Sequence, residues 1–230
     1  MDGVERGENA TLVQHPLNHQ IQFKVRPDPD WTQRIGEAWA GALVNSRRES
    51  AGIIAVMEGR LVIADPNNSE GAITAEVVAG EYEVVLTVAH LGSEATYDYE
   101  EYVSHAFALR RDNEGVTTIE PLTDEHGTEL GVEGTITTFA GEGVIARIAA
   151  DYPDLRIWTI PRLLSAVSPE ANLPDSKSVR APTKDGSSVL IAVEAGSGRQ
   201  DYPLFRLADA KGNTVGVLVD FFVDNRPYDE

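Results

Sequence analysis

The sequence predicts an α+β fold that is mostly antiparallel β-sheet, a sandwich or strongly curved sheet, with an N-terminal helix and one or two short helices. Three observations support this fold class. Many short stretches alternate apolar and polar residues, clusters of turn residues separate consecutive stretches, and helical spacing is confined to a few segments. Strands that follow one another through short turns pair in an antiparallel way.

The N-terminal helix is predicted to begin at Asp28 and Pro29. The Asp28 carboxylate can accept hydrogen bonds from the first-turn amides, and proline suits the first helical position. Apolar residues then recur every four positions, at Trp31, Ile35, Trp39 and Leu43. Arg47 and Arg48 would occupy the last turn, where positive charge favours the helix dipole, and Gly52 would end the helix.

After Gly52 the periodicity becomes that of strands. Two apolar runs, Gly52–Met57 and Arg60–Ala64, are predicted to form a hairpin around Glu58-Gly59, and Asp65–Asn68 reads as a turn. Further strands are expected at Ile73–Val78, Tyr82–Ala89, Tyr102–Arg111, Val116–Pro121 and Val132–Phe139. The strand Tyr102–Arg111 is expected to place Val103, His105, Phe107 and Leu109 on one side.

The second half combines short helices with closing strands. Helices are predicted at Gly143–Tyr152 and Pro161–Val167, followed by a long polar loop over 168–187. Strands then follow at Ser188–Glu194, Tyr202–Asp209 and from Val215 onward, with one apolar face on the last: Val215, Val217, Val219, Phe221 and Val223. We expect an irregular segment over 1–27, a single β-rich domain over 28–224 and a tail over 225–230.

Charge is the most unusual bulk property. The chain has 37 Asp and Glu against 19 Lys and Arg, a formal net charge of −18. Phosphate backbones and anionic membranes would repel it, which predicts no nucleic-acid or membrane partner. The acidity favours either simple solubility, including a saline habitat, or a basic protein partner. With no cysteine and no secretory signal pattern, we expect a cytoplasmic protein.

The sequence carries no recognisable catalytic motif. It lacks a nucleophile elbow, a P-loop and a dinucleotide fingerprint, so no catalytic residue, metal or cofactor is predicted. Gly196 and Gly198 flank Ser197 in a loop whose amides could bind an anion, although such loops are usually plain turns.

Four ionisable residues are candidate ligand-binding residues. Asp220 lies between Leu218 and Phe222 and, if buried, must be paired. Asp65, Glu133 and Asp220 could converge on one hard cation, although the default role of Asp65 is to cap a turn. His105 sits on an apolar strand face, where most histidines are core residues rather than site residues.

A second candidate is the polar, acidic loop predicted over Leu91–Glu101. Here aromatic and acidic side chains interleave, at Tyr97, Tyr99, Glu100, Glu101 and Tyr102. Such a mixture resembles a surface that binds a basic protein. The alternative is a solvated loop whose tyrosines pack locally.

Four stretches carry a resemblance to a known family: Gly59–Pro66, Val78–Val84, Gly131–Thr135 and Ser197–Phe221. They include Asp65-Pro66, Gly80-Glu81-Tyr82, Gly131-Val132-Glu133-Gly134-Thr135, Tyr202-Pro203 and Asp220-Phe221. Their order and spacing resemble those of DUF4241, a bacterial domain of unknown function, although Glu133 stands where that family usually has aspartate. The resemblance implies a shared fold, and neither an established activity nor catalytic residues.

The sequence therefore favours a non-catalytic binding module, such as an immunity or inhibitor-type protein for a basic partner. The alternative is a hydrolase that uses carboxylates with or without a metal, which would need Asp65, Glu133, His105 or Asp220 in one pocket. A third possibility is an accessory domain without a small ligand.

Overall fold

Two antiparallel sheets and two short helices dominate the part of the chain that the computed structural model describes. The described residues are 12–14, 20–22, 43–68, 71–93, 98–122, 129–155, 157–168, 176–195 and 200–221. The strands are β1 (Leu12–Gln14), β2 (Gln20–Gln22), β3 (Leu43–Val56), β4 (Arg60–Ala64), β5 (Ile73–Glu76), β6 (Gly80–Ser93), β7 (Asp98–Arg110), β8 (Thr118–Pro121), β9 (Glu129–Val132), β10 (Ile136–Gly141), β11 (Ser178–Pro182), β12 (Val189–Glu194), β13 (Gln200–Ala208) and β14 (Thr214–Asp220). The helices are α1 (Val144–Asp151) and α2 (Ile160–Val167).

The two main sheets have different strand orders. One runs β11-β12-β10-β4-β5. The other runs β3-β6-β7-β14-β13-β8, and β9 pairs with the N-terminal part of β13. All of these pairings are antiparallel, and β1 and β2 pair only with each other among the described strands. The mostly antiparallel β architecture is therefore confirmed.

The largest core lies between the two sheets. Its fully buried members come from both sheets and include Leu61, Ile63, Tyr82, Phe139, Tyr202 and Phe221. A second core joins the other face of the five-stranded sheet to α1 and α2, through Ile148, Trp158, Leu163 and Leu190 among others. The chain thus forms three layers, helices on sheet on sheet, which bury both faces of the five-stranded sheet.

The predicted N-terminal helix lies mainly outside the described residues, but its expected end is wrong. Residues from Leu43 to Gly52 belong to strand β3, which pairs with β6 from Leu43 opposite Leu91 to Val56 opposite Gly80. Arg47 and Arg48 are therefore strand residues and not the last turn of a helix. This long pairing with a strand distant in sequence overrides local helical preference.

The predicted hairpin between β3 and β4 is also wrong. Strand β3 pairs with β6 in one sheet, whereas β4 pairs with β5 and β10 in the other. The turn at Glu58-Gly59 therefore carries the chain from one sheet to the other. Gly59 has a φ of 71°, and a Cβ there would lie 2.8 Å from the Val77 carbonyl oxygen, so only glycine fits this corner.

Two predicted loops contain strand. Strand β6 extends to Ser93 and β7 begins at Asp98, so much of the expected loop Leu91–Glu101 is regular sheet. Within the expected loop 168–187, residues Ser178–Pro182 form β11 at the edge of the five-stranded sheet. Polar composition misled the prediction in both places, because strands with an exposed face carry polar residues too.

Bulges in β7 and β14 change which of their residues share a face, compared with the simple alternation that the sequence predicts. Thr87 pairs with His105 and Val88 with Val103, which leaves Ser104 as an extra residue in β7. Val103 consequently faces the inter-sheet core, while Phe107 belongs to a separate cluster of buried residues. Val215 also joins that separate cluster, whereas Val217 and Val219 face the inter-sheet core.

Several predicted elements are confirmed. The closing hairpin of β13 and β14 forms, with Leu204 opposite Val219. Helices α1 and α2 lie where helical spacing placed them, and Tyr82, Val84, Leu86 and Val88 of β6 all face the inter-sheet core. Neither described helix has the length and apolarity needed to cross a bilayer.

Candidate functional site

Asp65 is buried at the end of β4 and its carboxylate accepts four hydrogen bonds. Oδ1 accepts from the backbone N–H of Asn67 at 2.8 Å and from its side-chain amide at 3.0 Å. Oδ2 accepts from the backbone N–H groups of Glu133 at 2.8 Å and Gly134 at 2.7 Å. With an exposed fraction of 0%, this carboxylate is committed to holding two distant chain segments together.

Asn67 extends this network to the helical layer. Its side-chain amide donates to the Trp158 carbonyl oxygen at 3.0 Å, and its Oδ1 accepts from the Trp158 backbone N–H at 2.8 Å. Trp158 itself is buried in the core beneath the helices. Asp65 and Asn67 thus fix the backbone at three places: the end of β4, the turn at Glu133-Gly134 and the approach to α2.

Gly134 permits this close approach. A Cβ at Gly134 would lie 2.6 Å from Asn67 Nδ2 and 3.3 Å from Asp65 Oδ2. Contacts below 3.0 Å are not tolerated without movement, so a larger residue would displace the Asn67 amide from its partners.

Glu133 takes part in this network through its backbone and not through its side chain. Its backbone N–H binds Asp65, but its side chain is exposed to solvent. Asp201 is also exposed and stands opposite Gly131 in the pairing of β9 with β13. Its Oδ1 lies 3.3 Å from the position that a Cβ on Gly131 would take. Glu133 and Asp201 therefore flank the same short stretch of chain.

Asp220 lies elsewhere, in a different pair. It is 4% exposed and sits opposite His105 across β14 and β7, with Oδ1 3.7 Å from His105 Nε2. His105 Nδ1 lies 3.0 Å from Ser104 Oγ. This serine is 1% exposed and its hydroxyl donates to the Thr87 carbonyl oxygen at 3.1 Å, so the geometry holds the β7 bulge and does not present a nucleophile.

The structure brings only part of the predicted ligand site together. Asp65 meets the Glu133 backbone, while Asp220 meets His105 in the seven-stranded sheet. Across the described ranges, no three His, Cys, Asp or Glu side chains cluster closely enough to hold a metal ion. Gly196 and Gly198 lie outside the described residues.

The predicted partner-binding segment is strand from Asp98 onward. Tyr97 lies outside the described residues, as do the side chains of Tyr99 and Glu100. Glu101 forms a bidentate ion pair with Arg47, at 2.6 and 2.8 Å, and this hydrogen bonding raises the pKa of the Arg47 guanidinium. Tyr102 is half-buried against the inter-sheet core. Glu101 is thus already neutralised within the chain.

Most described cations are neutralised in the same way. Ion pairs join Arg60 to Glu142, Arg111 to Glu81, Arg147 to Asp185, Lys177 to Glu194 and Arg206 to Glu120. In contrast, four exposed carboxylates have no ion pair or side-chain hydrogen bond in the described part of the chain: Glu58, Glu133, Asp154 and Asp201. Three exposed cations, Arg162, Arg180 and Lys184, likewise have no ion pair there, so the negative excess is a property of the whole sequence, with its net charge of −18.

An open groove of about 550 Å³ runs beside the C-terminal end of α1. Tyr152 and Lys184 line it, with the Lys184 ammonium 5.6 Å from the Tyr152 ring centroid. Asp151, Asp154 and Arg162 contribute charges of both signs. This mixed lining selects no single ligand chemistry.

Sequence reasoning missed Asn67, Trp158 and Asp201 as members of the Asp65 surroundings. The turn at Asp65–Asn68 was predicted correctly, since Asn68 N–H donates to the Asp65 carbonyl oxygen at 2.9 Å. No local pattern indicated that Asn67 would bond a backbone 91 residues away.

No family model, no curated protein and no solved structure matches this chain.

Proposed function

We propose that the protein is a non-catalytic binding module, of the inhibitor or immunity type, whose partner is a basic protein. One observation carries the proposal: the buried carboxylate of Asp65 is used up by structural hydrogen bonds, whereas exposed carboxylates such as Glu133 and Asp201 have no cationic partner in the described ranges. The net charge of −18 would steer a basic partner towards such a surface.

The arrangement of the ionisable residues supports a binding module more than the hydrolase alternative. A hydrolase needs a nucleophile or an activated water within reach of a base, in a cleft that admits substrate. Ser104 and Asp220 are almost fully buried, and the Ser104 hydroxyl is already hydrogen-bonded to a backbone carbonyl. Asp65 has no accessible oxygen to offer a metal or a water.

Membership of the DUF4241 family is part of the same proposal. Two of the resembling stretches, Gly59–Pro66 and Gly131–Thr135, meet at the hydrogen bonds from Glu133 and Gly134 to Asp65. A third, Ser197–Phe221, contributes the β13 pairing beside Gly131. Motifs that are far apart in sequence but meet in space support a shared structural role. They do not carry an activity.

Binding to a panel of purified proteins tests the function. The panel contains basic proteins, nucleases among them, and acidic proteins of similar size as controls, measured by calorimetry at 150 mM salt. We expect at least one basic protein to bind with 1:1 stoichiometry, and the affinity to fall as salt rises because the charges are screened. If no basic protein binds at this salt, or acidic proteins bind equally well, the proposal fails.

A parallel assay addresses the hydrolase alternative. The purified protein is incubated with generic carboxyl-ester and phosphoester substrates, with and without added divalent cations. Turnover that disappears in the Asp220→Asn variant would favour the hydrolase. We expect no turnover above that of the buffer.

A further inference from the structure

We propose that His105 and Asp220 form a pH-sensitive link between β7 and β14, which strengthens when one proton lies between His105 Nε2 and Asp220 Oδ1. The two residues stand opposite each other in the pairing of these strands, and the two atoms are 3.7 Å apart. We call them the His105–Asp220 pair. The inference is independent of the proposed function, because it concerns how the fold itself responds to pH.

Ser104 determines which nitrogen of the imidazole carries a hydrogen. The Ser104 hydroxyl has a single hydrogen, which it donates to the Thr87 carbonyl oxygen at 3.1 Å. The contact of 3.0 Å between Ser104 Oγ and His105 Nδ1 must therefore take its hydrogen from the ring. A neutral His105 consequently carries its hydrogen on Nδ1, and its Nε2 is left as an acceptor.

Without a further proton, two acceptors thus face each other across the strands. The separation of 3.7 Å between Nε2 and Asp220 Oδ1 is too long for a hydrogen bond. One added proton converts the contact into a charge-assisted hydrogen bond. Asp220 is only 4% exposed, so water compensates its charge poorly and the gain exceeds that of a surface pair. The proton belongs to the pair and not to either residue alone.

The strand register places the other described residues of this row. Thr87 of β6 stands opposite His105, and Arg48 of β3 stands opposite Thr87. Burial lowers the pKa of Arg48, but an arginine keeps its proton throughout the range of about pH 4 to 9. Beyond Asp220 the row continues to Pro203 of β13, which carries no charge. Within the described part of this row, the pair is therefore what changes charge near neutral pH.

The stabilisation by the pair has a defined pH window. In an unfolded chain, histidine releases its proton near about pH 6.5 and aspartic acid near about pH 3.9. The folded pair binds the shared proton more tightly than unfolded histidine does, so the stabilisation is full below about pH 6.5 and is lost as the pH rises. Below about pH 4 the unfolded aspartate is protonated as well, and the stabilisation declines again.

The test compares the full-length wild type with His105→Gln, Asp220→Asn and the double variant. Urea denaturation followed by circular dichroism gives the unfolding constant of each between pH 5.5 and pH 8.5. The control is Arg206→Gln, which breaks the exposed ion pair with Glu120. Neither partner of that ion pair changes its charge in this range.

We expect His105→Gln to raise the unfolding constant at least about fivefold more at pH 5.5 than at pH 8.5, and the effect of the control to vary by less than about twofold. In the Asp220→Asn background, the pH dependence of the His105→Gln effect should disappear. An effect of His105→Gln that is the same at both pH values, or that keeps its pH dependence without Asp220, would overturn the proposal.

The nitrogen-15 NMR signals of the imidazole provide a second measurement, which needs only the wild type and His105→Gln to identify the ring. At pH 8.5 we expect the hydrogen of His105 on Nδ1, and Ser104→Ala should remove this preference. A purely structural histidine would not depend on Ser104 in this way. A His105 ring whose hydrogen lies on Nε2 would overturn the proposal even if Asp220→Asn does not fold.

Discussion

The Asp65 carboxylate accepts the backbone N–H of Gly134 at 2.7 Å, although 69 residues separate them in sequence. The same oxygen accepts the N–H of Glu133, and the other oxygen binds Asn67. A single buried side chain thus joins the end of β4 to the turn before β10. Stability should depend on this contact more than on any exposed ion pair, because the acceptor is fully buried and its partly buried donors would lose four hydrogen bonds at once.

Replacing Asp65 with alanine should lower the free energy of unfolding by about 2–3 kcal/mol, since it leaves partly buried N–H groups of three residues without an acceptor. Urea denaturation followed by circular dichroism measures the change. The Asp65→Asn variant keeps an acceptor on one side and should lose less. A loss below about 1 kcal/mol in the alanine variant would contradict the structural role of this carboxylate.

Gly134 and Asn67 should be energetically coupled. Gly134→Ala places a methyl group 2.6 Å from Asn67 Nδ2, and should cost about 1–3 kcal/mol. In the Asn67→Ala background the same change should cost less, because the clashing amide is gone. A double-mutant cycle in urea measures this coupling, with the exposed neighbour Thr135→Ala as control. Additive losses would show that the two residues do not compete for space.

The stabilisation that Asp185 contributes should be lost as the pH falls. Hydrogen bonds from Thr183 and from the backbone and hydroxyl of Ser187, with Arg147 nearby, hold the pKa of Asp185 well below its usual range. The stabilisation is therefore present above the unfolded-state pKa of about 4 and is lost as the pH falls below it. The stability difference between wild type and Asp185→Asn should be larger at pH 6 than at pH 3. A difference that does not change with pH would contradict this assignment.

Tyr82 should ionise late in an alkaline titration. Burial raises the pKa of the Tyr82 hydroxyl well above its usual range, and the hydroxyl donates to the Val78 carbonyl oxygen at 2.5 Å. Because the folded state favours the neutral phenol, this stabilisation is present below about pH 10 and is lost as the pH rises beyond it. Tyrosinate absorbance counts the tyrosines that ionise only when the protein unfolds. The Tyr82→Phe variant should have one such tyrosine fewer than the wild type. Identical curves would count against the prediction.

Sequence periodicity determined the existence of most elements. Tyr82, Val84, Leu86 and Val88 alternate in sequence and all reach the inter-sheet core, because a strand presents alternate residues to one face. The closing hairpin of β13 and β14 could also be predicted from the sequence. Its turn carries Asp209, whose side chain accepts hydrogen bonds from the N–H groups of Lys211 and Asn213. These features depend only on residues that are close along the chain.

Tertiary structure alone decided which sheet each strand joins and which side chains meet. Strands β3 and β4 are separated by a short turn, yet they belong to different sheets, because β6 and β10 supply their partners. The bulge at Ser104 reverses which side of β7 a residue faces, and alternation cannot reveal it. The sequence allowed Asp65 and Glu133 to converge on a shared cation, whereas the fold buries the side chain of Asp65 and exposes that of Glu133. Local spacing specifies elements, while hydrogen bonds between segments some 70 to 90 residues apart arise only when the sheets pack.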